Sequence, residues 1–415
     1  MLKELSEFVA AQRVRAGTLE DHIATFAAAL SERGYAKSTA KQQIRLAADF
    51  GRWLGRRGVV ATELDEERAS EFLAYLRRRG RARRSHRTTL RILLSVLRDI
   101  GIVRPVSTFE AELDANPVVA IERTFVRYLA EERGLQPSTC ANYIPVVRRL
   151  LSGHFRGGSV ALGSIRPEDV TRFVTSEARN SPRQIKVIAP ALRVFLRWLH
   201  QRGNTQTNLA GCVPAVAEWR LATVPKALAS EQVECLLRHC NRATPVGRRD
   251  YAILLLLARL GLRAGEVVAM ELDDIDWESG ELIVRGKGHR EDRLPLPHTV
   301  GAALAAYLRN GRPHCSIRRL FVRARAPYQG FASSVAICNI VERGLKRSGL
   351  EPSRKGAHTL RHGLACTMLR CGASLAEIGQ ILRHRSPDTT AIYAKVDLTA
   401  LRALAPAWPQ PAGDA

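Results

Sequence analysis

The feature that most constrains this chain is that its N-terminal half occurs twice. The segment TFAAALSERGYAKSTAKQQIRLAADF (25–50) returns as TFVRYLAEERGLQPSTCANYIPVVRRL (124–150). Phe26 pairs with Phe125, Leu30 with Leu129, Arg33-Gly34 with Arg133-Gly134 and Ser38-Thr39 with Ser138-Thr139, one residue being inserted before the Arg-Gly pair. The match continues to LRILLSVLRDIG (90–101) against LRVFLRWLHQRG (192–203). A period of this length marks duplicated domains rather than solenoid units. Each copy reads as four helices from the spacing of its apolar residues, with Ser38 or Ser138 capping the second and later helices following Asp65 and Pro167. Domains are therefore expected at 1–110 and 111–215, joined near 104–117 and leaving the repeat through a second linker at 208–227.

From Ala229 the pattern changes. A helix at 230–239, N-capped by Ser230, precedes a buried helix at 248–260. GELIVRGKGHREDRLPLP (280–297) reads as two short strands around a Gly-rich turn. Helices follow at 299–309, 333–348, 358–371, 375–383 and 387–394. Ser374 and Glu377 form a capping box, and Ser386-Pro387-Asp388 supplies an N-cap, an N1 proline and an acidic first turn. The expected class is mainly α with a small β component: tandem helical domains, an α+β domain at 216–405 and a disordered tail at 406–415.

Charge narrows the partner. Lys and Arg number 64 against 40 Asp and Glu, for a net charge of +24. Such an excess favours a polyanion, because neutralising phosphates releases counterions. RNA satisfies charge alone as well as DNA does. The N-terminus has no apolar signal region, and the longest apolar run, YAILLLLA (251–258), is too short to span a bilayer. The chain is thus expected to be cytoplasmic and nucleoid-associated, with no membrane partner. Its eight cysteines form no C-x-x-C pair and read as reduced thiols rather than zinc ligands.

GLRAGEVVAMELDDIDWESGELIVRGKGHREDRLPLP, HTLRHGLACTML and ILRHRSPDTTAIYAKV, in this order, resemble the motif boxes of the tyrosine recombinase (phage integrase) family. The match covers about 225–396, and residues 116–207 resemble that family's helical, SAM-like core-binding domain. The resemblance implies catalytic roles for Arg263, Lys287, His358, Arg361, His384 and Tyr393. It implies cleavage and rejoining through a 3′-phosphotyrosyl intermediate, without cofactor or metal, at specific sites in double-stranded DNA. It also implies a homo-tetramer on DNA, or a hetero-oligomer with related recombinases, in which residues 398–405 dock on a neighbour. The duplicated N-terminal half favours an integrase or transposase of a mobile element. A type IB topoisomerase-like enzyme shares the chemistry, and a non-catalytic DNA-binding regulator shares the charge. One departure stands out: Arg383 occupies the place of the family's usual glycine before His384, where it either touches DNA or alters helix termination.

The chemistry asks for these residue types. A tyrosine can attack phosphorus, but its ordinary pKa is about 10, so it needs cationic help. Two guanidiniums are planar, permanently charged and bidentate toward a phosphate. His358 and Arg361 stand at i and i+3, on one helix face. A lysine on a hairpin can protonate the leaving oxygen. Glu266 is expected to pair with Arg263, and His362 to be a packing residue. For DNA-backbone contacts the candidates are Ser38, Thr39, Arg45, Arg83 and Arg84 in the first copy. In the second they are Ser138, Thr139, Arg148, Arg183 and Lys186.

Overall fold

The computed structural model describes residues 2–103, 117–155, 160–180, 184–215, 224–286, 291–396 and 401–402. The chain packs as two units, residues 1–100 with 221–415, and residues 101–220. The expected tail at 406–415, and 398–405 apart from residues 401 and 402, lie outside the described residues.

The first repeat comprises α1 (Leu2–Arg13), α2 (Ile23–Glu32), α3 (Lys37–Gly55), α4 (Glu66–Arg78) and α5 (Arg84–Asp99). Helices α2–α5 close over Phe26, Ile44, Phe50, Phe72 and Leu93, with the Phe50 and Phe72 rings 5.0 Å apart. The Asp65 side chain accepts the Arg68 N–H and caps α4, as expected. Ser38 is not a cap: α3 starts at Lys37 behind Ala36, which leaves Ser38 exposed in the first turn.

In the second unit, α6 (Pro117–Arg127), α7 (Pro137–His154), α8 (Pro167–Asn180) and α9 (Ile185–Gln201) repeat the arrangement. Phe125 packs edge-on against Phe195 at 5.1 Å. The inserted residue has a physical location. Arg33 N–H reaches back four residues to Ala29, whereas Arg133 N–H reaches back five to Tyr128, through a π-turn at Tyr128–Glu132. One extra residue is thus absorbed as a π-bulge without moving the flanking turns out of register. Ser138 is not a cap either, since Pro137 takes the N1 place behind Gln136.

Residues 224–396 form the largest core. Helix α10 (Ser230–Arg238) begins behind Ala229, whose N–H donates to Gln232 Oε1 at 3.0 Å, so Ser230 is the first helical residue rather than the cap. Helix α11 (Pro245–Arg259) is buried on every side from Ala252 to Leu257 and is the centre of this core. Each such leucine contributes about 1.5–3 kcal/mol by leaving water. After α12 (Ala264–Ala269) come β1 (Ile275–Asp276), β2 (Glu281–Arg285) and β3 (Glu291–Pro295), an antiparallel sheet in that order. Leu282 faces Leu294 and Val284 faces Asp292. Strand β1 was not expected; two residues carry no readable alternation.

The chain then runs through α13 (His298–Asn310), α14 (Val335–Arg347), α15 (His358–Arg370), α16 (Leu375–Ile381) and α17 (Pro387–Ala391). The capping box of α16 and the Ser386 cap of α17 form as read. The last helix is shorter than expected, and a 3₁₀ turn at Ile392–Val396 carries Tyr393. A second, smaller core of Ala365, Ile378, Leu382 and Tyr393 joins α15, α16 and this turn.

Candidate active site

Arg361 is the centre of the site. One turn into α15, it is 4% exposed. Its Nη1 donates to the Gly261 carbonyl and its Nη2 to the Leu382 carbonyl. Gly261 has φ +58°, and a Cβ there would lie 2.6 Å from the Leu382 side chain. Only glycine lets the loop after α11 pass so close.

Arg263 comes from the N-terminal side of α12. Its Nη1 donates to Glu266 Oε1 at 2.7 Å, its backbone N–H to Glu266 Oε2 at 2.8 Å, and its Nη2 to the Arg383 carbonyl at 3.1 Å. The expected pairing with Glu266 is present. Both guanidiniums therefore rest on successive carbonyls, Leu382 and Arg383, at the end of α16. That end leaves carbonyls without helical partners and carries partial negative charge, so cations dock there naturally.

Arg383 explains the departure from the usual glycine. The Arg383 N–H donates to the Gln380 carbonyl and the His384 N–H to the Gly379 carbonyl, both at 2.9 Å. This is a Schellman motif, whose C′ residue is left-handed and usually glycine. Arg383 adopts φ +55°, which costs about 1 kcal/mol relative to glycine. Its side chain, 7% exposed, sends Nη2 to Glu266 Oε2 at 2.9 Å and brings Nε within 3.8 Å of Asp292 on β3. Of the two expectations for Arg383, helix termination is the one the geometry displays.

Tyr393 is 1% exposed. Its hydroxyl lies 2.8 Å from His362 Nδ1, and its ring stacks on His384 at an interplanar angle of 8°. His384 Nδ1 is in turn 2.6 Å from Thr390 Oγ1. His358 opens α15, with its ring 6.3 Å from that of His362. His362 was read as a packing residue; its contact with the phenol is the main omission. Its i+4 spacing from His358 was the available signal. Lys287, which follows β2 in the sequence, lies outside the described residues.

Burial dominates the electrostatics. It pushes the Tyr393 phenol up to about 12, with the Arg361 charge pulling the other way. Burial, then the nearby Arg361 and Arg263 charges, lower His384 to about 4. Burial and the neighbouring His358 and Arg361 do the same for His362, again to about 4. His358 is lowered by burial and by Arg361 and Arg263. Burial would raise the Glu266 carboxyl, but the Arg263 backbone hydrogen bond and the Arg383 and Arg263 charges outweigh it and hold it below its ordinary value. Burial and the like charges of Arg263 and Arg383 lower Arg361 to about 10, still charged at neutral pH. The result is a partly buried site with hydrogen-bonded guanidiniums, neutral imidazoles and a protonated phenol. Such a set is suited to an anion whose charge grows during reaction.

The candidate DNA contacts fall in two settings. In the first repeat, Thr39, Arg45 and Arg83 line a groove of about 860 Å³ together with Arg52, Arg79 and Arg81. Ser38 and Arg84 are exposed in the first turns of α3 and α5. In the second, a different face, between α6 and α7, carries an apolar groove of about 520 Å³ lined by Val126, Leu135, Ile144, Pro145 and Arg148. Both prongs of Arg148 are held by Glu122, at 2.8 and 2.5 Å. Ser138 and Thr139 lie in the first turn of α7, Lys186 is exposed at the start of α9, and Arg183 lies outside the described residues.

Comparison with known proteins bears on the family and the fold. The phage integrase family model matches residues 226–399. A Sinorhizobium fredii protein carrying the name integrase/recombinase y4rA is 44% identical over 397 residues, 95% of each chain. The tyrosine recombinase XerC of Oceanobacillus iheyensis is 30% identical over 67% of this chain and 92% of its own. Among solved structures, a lambda integrase(75-356) dimer bound to a COC' core site aligns with TM-score 0.51 at 18% identity, covering 66% of this chain and 94% of that one. XerH recombinase in a post-cleavage complex with palindromic difH substrate gives TM-score 0.52 at 18% identity, covering 66% and 80%. At these identities the structural likeness is one of fold.

Proposed function

The chain belongs to the phage integrase family of tyrosine recombinases, and on that premise we propose that Tyr393 is the nucleophile with which it cuts DNA. The protein is a site-specific DNA recombinase, an enzyme that cleaves and rejoins strands. In the proposed step the Tyr393 oxygen bonds to the scissile phosphorus while the bond to the 5′-oxygen breaks. A 3′-phosphotyrosyl ester and a free 5′-hydroxyl result. Lys287 supplies the proton to the leaving oxygen, and the phenol's own proton passes to solvent water as it attacks. Arg263 and Arg361 hold the non-bridging oxygens as negative charge builds, with His358 and His384 as further donors. A phenol near 12 ionises only where such cations stabilise it. Because the ester keeps the energy of the cleaved bond, a 5′-hydroxyl from another strand reverses the step without ATP.

One observation carries this reading. Arg263, the α15 pair His358 and Arg361, His384 and Tyr393 come from four separate places in the sequence, yet their charges and rings act on one another around one small core. The groove of the first repeat supports backbone contacts by Thr39, Arg45 and Arg83, with Ser38 and Arg84 beside it. In the second repeat we assign such contacts to Ser138, Thr139, Arg148, Arg183 and Lys186. Assembly as a homo-tetramer on DNA and a role in mobile-element integration or transposition complete the proposal. The test is trapping on a nicked duplex whose cleaved 5′ fragment diffuses away. The native protein should accumulate a covalent adduct and Tyr393→Phe none, at equal DNA binding. An adduct in the variant would remove the assignment.

A further inference from the structure

Arg263 is held from two directions, and both lead to Arg383. The Arg263 guanidinium donates through Nη2 to the Arg383 carbonyl and through Nη1 to Glu266, while Arg383 Nη2 donates to the other oxygen of that same carboxylate. The three residues form a closed ring. Within it, Glu266 Oε2 receives both the Arg263 backbone N–H and Arg383. The Arg383 side chain also reaches strand β3, where Nε stands 3.8 Å from Asp292 and is a buried donor with no hydrogen-bond partner. Glycine at this position would satisfy the left-handed backbone with less strain. It would keep the carbonyl arm of the ring and lose the side-chain arm.

We propose that Arg383 is a positioning residue for strand cleavage: its side chain, through Glu266, fixes the Arg263 guanidinium and ties it to strand β3. Two readings predict different things. If the side chain only tolerates the turn, Arg383→Gly relieves strain and leaves chemistry alone. If it positions Arg263, the same substitution slows chemistry in a protein that still folds and binds DNA. The inference rests on Arg263 contacting the scissile phosphate.

The experiment is single-turnover cleavage of a saturating nicked duplex by the full chain, alongside DNA affinity and thermal melting. Arg383→Gly should cleave at least tenfold more slowly than the native protein, with affinity within twofold and a cooperative melt showing that it is folded at the assay temperature. Arg383→Lys, which keeps a cation near Glu266, should recover part of the rate. The charged groups around Glu266 are Arg263, Arg361 on α15, and Arg383, with Asp292 on β3 beyond it. Removing Arg383 withdraws a charge that lowers the Glu266 carboxyl, so the acid limb of the rate profile should move to higher pH. Native cleavage rate and native acid limb in Arg383→Gly would overturn the proposal. Arg263→Ala serves as the control: if it too cleaves normally, the fault lies with the assignment of Arg263. If it is inactive while Arg383→Gly is native, only the positioning role fails.

Discussion

Arginines are used in opposite ways in two regions of this molecule. In the active site Arg361 and Arg383 are almost wholly buried, and Arg263, Arg361 and Arg383 each end on named carbonyls or carboxylates. In the groove of the first repeat, Arg45, Arg52, Arg79 and Arg83 lie at the surface. Cations held by carbonyls and carboxylates need little reorganisation when charge develops, so they act on a rate. Exposed cations exchange counterions for phosphates, so they act on affinity and its salt dependence. The same side chain thus serves chemistry or binding according to what surrounds it.

The sharpest way to break that division is Tyr393→Phe. Adduct formation should vanish with binding intact, and a loss of binding instead would show that the site also carries affinity. Next in size, Arg361→Ala should lower cleavage about 10²–10³-fold. Because the Gly261 and Leu382 carbonyls would lose their donor, it should also cost about 1–3 kcal/mol of stability in denaturant melts. The groove should behave in the opposite manner. Replacing Arg45 and Arg83 together by Ala should reduce the slope of log affinity against log salt by up to about 2 and leave cleavage at saturation unchanged. An altered rate there would erase the distinction.

A smaller effect concerns pH. His362 and His384 sit near 4 when folded, against an ordinary value of 6.5. The unfolded chain therefore takes up protons first, so stability should fall as pH drops from about 6.5 toward 4 and be flat above. His362→Gln with His384→Gln should flatten that fall in melts followed by circular dichroism.

The two repeats make a second comparison. At the turn after α2, the Tyr328 N–H donates to the Arg33 carbonyl at 3.2 Å, and a Cβ on Gly34 would meet the Tyr328 ring at 2.2 Å. At Gly134 the corresponding space is open among the described residues. One copy is thus fitted against the catalytic region's own loop. Duplicated sequence has been kept as a fold and specialised at its surfaces.

The residues that meet in the site were legible because their order and spacing reproduce a known set of boxes, and because i, i+3 spacing puts His358 and Arg361 on one face. Caps were less legible. Ser38, Ser138 and Ser230 carry the right chemistry, but the caps stand two residues earlier at Ala36 and Gln136 and one earlier at Ala229, and Pro137 and Gln232 show why for the last two. The His362–Tyr393 contact depends on how the final turn folds back onto α15, a tertiary fact with no local signature. Arg383 stood out as a departure that either touches DNA or alters helix termination, but its contact with Glu266 was not legible, because nothing in a linear sequence announces where a side chain on a left-handed φ is sent.

The seating of Tyr393 has a consequence for life beside a chromosome. With Tyr393 only 1% exposed, its hydroxyl beside one imidazole and its ring stacked on another, the phenol is shielded from the surface. If Tyr393 is the nucleophile proposed above, the final turn has to shift before a strand is broken, and whatever shifts it governs where the genome is opened.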